Sequence, residues 1–268
     1  MPADDRRRAD RWRGPYLAPI VSDAAPGQAG GTPLIIAHRG ASAHAAGNSL
    51  EAFEQAISAG ADYIEFDVRR TREDELIVFH DARVRGVAVA QLTREDIARQ
   101  RRHPPALLRE VLELARGRVR IDVELKEDGY VKRVLGLIGV DFTPPEVIVT
   151  SFLDPVVAQV KQLQPSIPAG LLLGSGRPAH HLRSRRGELR PVARAQACHA
   201  DYVAPHHALA RLGTLARAAE AGLPALVWTV NRTELLRELI ADPRVAGIIT
   251  NVPARALGLR DQAGSDPG

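Results

Sequence analysis

A single cysteine, Cys198, stands in this chain of 268 residues, so no intrachain disulfide can form. No apolar run approaches the ~20 residues that a membrane span requires. No charged-apolar-small leader opens the sequence either. The expectation is a cytoplasmic protein without integral membrane segments, with peripheral contact left open. Aromatic residues make up only 4% of the chain. A nucleic-acid face needs basic residues interleaved with aromatics. The arginine clusters at Arg6 to Arg8 with Arg11 and Arg13, at Arg99 to Arg102 and at Arg183 to Arg186 therefore read as solvated surface, and no nucleic-acid partner is expected. Excess charge is scarce too: 36 Lys and Arg against 32 Asp and Glu leave +4, a modest attraction for anionic substrates.

What is present is a regular alternation. Residues 1–31 are rich in Arg, Asp, Ala, Pro and Gly without a sustained apolar period, and read as a flexible N-terminal extension. Residues 261–268 read as a loose tail, leaving 32–260 as one domain. Across it run nine short β-rich segments: LIIAH, YIEFDV, LIVFH, VRIDVEL, VIVTSF, AGLLLG, DYVAP, ALVWTV and GIITN. Helical patterns or Pro/Gly breaks separate most of them. Buried strands alternating with helices predict a parallel sheet. The length matches the ~250 residues of a (β/α)8 barrel, and no G-x-G-x-x-G supports a doubly wound open sheet. Nine runs are one too many for that barrel. DYVAP is assigned as the extra segment, with at most a short insertion after His80-Asp81.

Polar clusters end four of these runs: His38-Arg39-Gly40, Glu65-Phe66-Asp67, His80-Asp81 and Glu124-Leu125-Lys126. Barrel enzymes carry their sites at the C-terminal ends of strands. Strand periodicity puts Glu65 and Asp67 on one face, and Asp122, Glu124 and Lys126 on another. Carboxylates crowded in a barrel mouth would take up protons unless a cation kept them ionised. Oxygen ligands without thiolates favour Mg2+ or Ca2+ over zinc. Two histidines can exchange protons, and Arg39 and Lys126 can neutralise a phosphate. Taken singly, each group has a plainer reading: a solvent-facing Glu-x-Asp pair, a hydrogen-bonded loop histidine, an internal counter-ion, or core packing for Trp228. Their convergence on one end of one fold favours a phosphodiester site.

The ordered set His38-Arg39-Gly40, Asn48-Ser49-Leu50-Glu51-Ala52-Phe53, Ala59 to Val68, Val78-Phe79-His80-Asp81, Glu124-Leu125-Lys126, Ser151-Phe152, Trp228-Thr229-Val230-Asn231 and Gly247-Ile248-Ile249-Thr250 resembles the glycerophosphodiester phosphodiesterase family. The resemblance implies a metal-dependent TIM barrel that cleaves glycerophosphodiesters to glycerol 3-phosphate and an alcohol. It implies Glu65, Asp67 and Glu124 as metal ligands and His38 and His80 as the acid-base pair; His38 is assigned as base and His80 as acid, with the reverse order left open. Arg39, Lys126 and Trp228 become candidate substrate contacts for a small-molecule phosphodiester. Three departures stand out: Gly47 where the family usually has Glu, a short stretch after His80-Asp81, and Asn251 where an Asp often follows the threonine. Alternative readings are a lysophospholipase D-like enzyme and a catalytically silent phosphodiester-binding barrel.

Overall fold

The computed structural model describes residues 32–101, 104–174 and 190–265. The N-terminal extension and the arginines at 183–186 lie outside the described residues. Eight parallel strands close into a barrel in the order β1 (Leu34–His38), β2 (Tyr63–Arg70), β6 (Arg120–Leu125), β7 (Val147–Ser151), β8 (Ala169–Leu173), β9 (Tyr202–Pro205), β10 (Ala225–Val227) and β11 (Val245–Thr250). β11 returns to pair with β1, Ile35 opposite Ile248. Helices α1 (Leu50–Ser58), α3 (Leu108–Ala115), α4 (Val131–Asp141) and α5 (Asp154–Leu163), followed by Pro191–Ala197, Leu215–Glu220, Thr233–Ile240 and Pro253–Ser265, connect the strands and form the outer layer. The last of these helices continues through Ser265, so residues 261–265 are helix rather than loose tail.

The surplus run is not DYVAP. β9 pairs in parallel with β8 and β10, and all four of its residues are buried. The extra strand is β3 (Leu76–Val78), antiparallel to β2 with Val68 opposite Val78. Only residues 71–75 separate β2 from β3, whereas a parallel crossover needs a dozen or more residues. The chain must therefore turn back, and Asp74 at φ 65° makes that turn. A small hairpin, β4 (Arg83–Val84) with β5 (Val87–Ala88), and helix α2 (Arg94–Ala98) follow as the short insertion. They close over their own apolar cluster of Ile77, Val84, Val89, Leu92, Ile97 and Leu107.

Two apolar layers hold the barrel. One lies between strands and helices, where Ile64, Phe66, Val123, Val149 and Leu171 meet Phe53, Leu108, Val134 and Val157. The other fills the barrel itself with Ile36, Tyr63, Ile148, Leu172, Tyr202, Leu226 and Ile249. Burying a large apolar side chain stabilises by about 1.5–3 kcal/mol, so the interior is a packed plug rather than a pore. The alternation that buries Ile64 and Phe66 outward under the helices leaves Glu65 and Asp67 inward.

Candidate active site

At the end of β1 the chain turns sharply through Gly40. With φ 79°, its Cα lies so close to α1 that an added Cβ would sit 2.4 Å from the Ala52 carbonyl carbon. Only glycine fits there. The same turn puts Arg39 at φ 56°, a left-handed conformation that costs a side-chain-bearing residue about 1–2 kcal/mol. Its backbone N–H donates to Glu65 Oε2 at 2.9 Å, and its Nε lies 3.1 Å from Asp67 Oδ2.

Glu65, Asp67 and Glu124 converge from β2 and β6, with one oxygen of each within 4.8 Å of the others. All three are buried. Lys126 pairs with Asp67 Oδ1 at 2.6 Å and also binds Glu124, so its ammonium already bridges two of the three. Asp67 is held below the usual carboxylate range: burial opposes its charge, but Lys126, Arg39 and His80 outweigh that penalty. Glu65 is pushed well above its ordinary value by burial and then by Asp67 and Glu124. Glu124 is raised to about 7, again by burial first, against the pull of Lys126. Glu65 Oε1 has no hydrogen-bond partner. A cluster of buried carboxylates, one with an orphaned oxygen and two raised above their ordinary values, fits a hard divalent cation.

The two histidines flank this cluster with different partners. His38 Nδ1 lies 2.6 Å from Asn251 Oδ1, and burial followed by the Arg39 charge lowers the imidazole to about 4. His80 arrives on the antiparallel return of β3. Its Nδ1 bonds Asp81 Oδ1 at 3.0 Å, and Asp81 in turn pairs with Arg101 at 2.7 Å. Burial lowers His80 as well, while Asp67 and Asp81 pull the other way. Trp228, at the end of β10, uses its indole N–H on the Ala204 carbonyl at 2.6 Å. Its ring meets Phe152 and His206 edge to face at 5.5 and 5.0 Å, a half-buried aromatic wall whose Phe152 ring lies 6.0 Å from Lys126 Nζ.

Three residues at the site are absent from the sequence-based candidates. Asn48 donates to Asp67 Oδ2 at 2.7 Å and accepts from the Asp67 N–H at 3.3 Å, while Ser49 caps α1. Both asparagine and serine are cap residues, so the local sequence could not separate their roles. Arg69, nearly fully buried, donates to the His80 carbonyl at 2.9 Å and pairs with Glu127. The period-2 series Glu65, Asp67, Arg69 would have found it. Asn251 was visible as a polar strand end, but its partner lies 213 residues away. Gly47 packs against the stem of Arg39, where a Cβ would sit 3.3 Å from both Arg39 Cβ and Ser42 Cβ.

The fold is a closed (β/α)8 barrel with a buried carboxylate cluster at its strand ends, and the enzyme is a phosphoric diester hydrolase. The chain belongs to the glycerophosphoryl diester phosphodiesterase family, whose family model matches residues 38–255. Bacillus subtilis YhdW is 30% identical over 238 residues, covering 82% of this chain and 94% of its own. A glycerophosphodiester phosphodiesterase of Caldanaerobacter subterraneus is 28% identical over 86% of this chain and 99% of its own. In structure, an Oleispira antarctica phosphodiesterase in complex with the product sn-glycerol-3-phosphate superposes with a TM-score of 0.70. It is 18% identical over 86% of this chain and 97% of that one, a likeness of fold.

Proposed function

We propose that this enzyme hydrolyses glycerophosphodiesters to glycerol 3-phosphate and an alcohol, with His38 as general base and His80 as general acid. The observation that carries the reading is the cluster of Glu65, Asp67 and Glu124 with Lys126 and Arg39 beside it. Fully ionised, the three carboxylates outnumber the two cationic side chains by one. Glu65, Asp67 and Glu124 would hold Mg2+ or Ca2+, which when bound supplies positive charge to polarise the phosphoryl oxygens. The site then carries one net positive charge, against the single negative charge of a phosphodiester.

Arg39 and Lys126 stabilise the charge that builds on the phosphoryl oxygens as the nucleophile adds. His38 removes the proton from the attacking hydroxyl, either water or the glycerol hydroxyl beside the phosphate. His80 delivers a proton to the departing alkoxide oxygen as its bond to phosphorus breaks. If the glycerol hydroxyl attacks, the product is a cyclic phosphate. Water then opens it with the two histidines exchanging roles, returning both to their starting states. The partners favour this order. A carboxylate beside His80 stabilises the protonated ring an acid requires, whereas the neutral amide beside His38 suits a base. Trp228 and Phe152 form the wall against which the organic part of the substrate packs.

The test is a metal-dependent hydrolysis screen over glycerophosphocholine, glycerophosphoethanolamine, glycerophosphoglycerol, glycerophosphoinositol and lysophospholipids, with products identified by mass. Glycerol 3-phosphate supports the proposal. Lysophosphatidic or cyclic lysophosphatidic products alone place the substrate among lysophospholipids instead. His38→Ala and His80→Ala should each lower turnover by about 10²–10⁴-fold. Wild-type rates in both folded variants would refute the acid-base pair.

A further inference from the structure

We infer that Asn251 is the positioning residue of the reaction's base: its side-chain carbonyl fixes the His38 ring and its tautomer, presenting Nε2 as the proton acceptor. The inference rests on the role proposed above for His38, and its structural half stands independently. An imidazole has two nitrogens, and which one carries the proton is set by the hydrogen bond the other makes. A side-chain carbonyl can only accept. At 2.6 Å from Asn251 Oδ1, Nδ1 must therefore be the protonated nitrogen, and the lone pair is left on Nε2.

Asn251 is itself held from several sides. Its backbone N–H donates to Asn231 Oδ1 at 2.9 Å, and the same oxygen takes the Thr250 hydroxyl at 3.3 Å. Its carbonyl accepts from the Ala43 N–H at 3.1 Å, in the loop that follows His38. The Ser42 hydroxyl, from that loop, donates to the His38 carbonyl at 2.7 Å. Asn231 in the loop that follows β10, Asn251 at the end of β11 and His38 at the end of β1 thus form one hydrogen-bonded network across three neighbouring strand ends of the barrel. No atom of this network belongs to the carboxylate cluster. Asn251 touches the ring from behind and acts through it.

A leucine at 251 keeps the approximate volume and removes the acceptor, whereas Asn251→Asp keeps an acceptor oxygen. Asn251→Leu should lower kcat by about 10–100-fold, in the range of other groups that orient a functional imidazole, with KM changed less than about threefold. Asn251→Asp should recover most of that loss. In a His38→Ala background the leucine should cost nothing further, because a residue acting through His38 has no effect once the ring is gone. Imidazole nitrogen chemical shifts of ¹⁵N-labelled protein, with His38 assigned from the His38→Ala spectrum, should report a proton on Nδ1 in the wild type and its loss as the fixed tautomer in Asn251→Leu. An unchanged tautomer in the leucine variant overturns the inference. So does an undiminished kcat, or an equal loss with and without His38. If the wild type turned over no diester at all, the functional proposal would fall and the nitrogen shifts would still decide the role of Asn251.

Discussion

Asp122 offers the sharpest quantitative test of the electrostatics inside the barrel. Its side chain is fully buried, with one oxygen accepting from the Thr150 hydroxyl at 3.0 Å and the other without a partner. Burial pushes its carboxyl up to about 8 against the Thr150 bond, with the Glu124 and Asp67 charges adding to the rise. At pH 7 the folded protein therefore keeps a proton that the unfolded chain has lost. Because the folded value is raised, the group's contribution to stability is complete below pH ~3.9 and is lost progressively as pH climbs toward 8. Each pH step in that window costs about 1.36 kcal/mol, or ~4 kcal/mol by pH 7. An Asp122→Asn variant keeps the side-chain shape and has no proton to lose, though the new amide leaves one more buried donor to satisfy, at about 1–3 kcal/mol. That penalty is independent of pH, so the cleaner observable is the slope. The variant's stability relative to wild type should improve by about 3 kcal/mol between pH 5 and pH 7. Urea denaturation of both proteins in chelator, with equal m-values as the check on two-state behaviour, measures this directly. A stability difference that stays flat from pH 5 to pH 7 would show that the carboxyl ionises as in water, and the reasoning would fail.

Three further outcomes follow from the site. Since Glu124 is raised to about 7 and Glu65 well above its usual range, a dication entering at pH 6 must expel protons, and its affinity should climb between pH 5.5 and 8. Calorimetric titrations in buffers of different ionisation enthalpy count those protons, and a count of zero at pH 6 contradicts the assignment of the ligands. Asn48→Gly, chosen because the backbone at φ 64° suits glycine, removes the amide clamp on Asp67 and should weaken Mg2+ or Ca2+ binding by about 10–100-fold. Bound cation at 100 times its dissociation constant should stabilise the fold by about 2.7 kcal/mol, and chelation should remove both that increment and turnover.

Much of this was readable in the chain. Alternating β-rich runs and helical stretches define the parallel barrel because strands buried on both faces are apolar throughout, and the period-2 rule assigned Glu65 and Asp67 to one side. The resemblance supplied the proposed acid-base histidines and the proposed ligand set. Counting alone misassigned the ninth run, although the five residues between β2 and β3 already forbade a parallel crossover. The structure decides the α1 cap for Ser49 over its neighbour Asn48, although both side chains can satisfy a helix N-terminus.

What the sequence determined by itself is which residues face inward, because alternation along a strand is a local property of the backbone. What only the tertiary structure decided is which of them meet. His38 finds Asn251 across the seam where the barrel closes. Asn48 turns from the helix cap to Asp67, Lys126 turns to Asp67 and Glu124, and Arg69 reaches the His80 carbonyl. These pairings depend on barrel closure, on the antiparallel return of β3 and on left-handed turns at Arg39 and Asn48. Apart from the Lys126–Glu124 pair, whose members stand two residues apart, each is a long-range or strained geometry that no local pattern encodes, and together they set the protonation of the site.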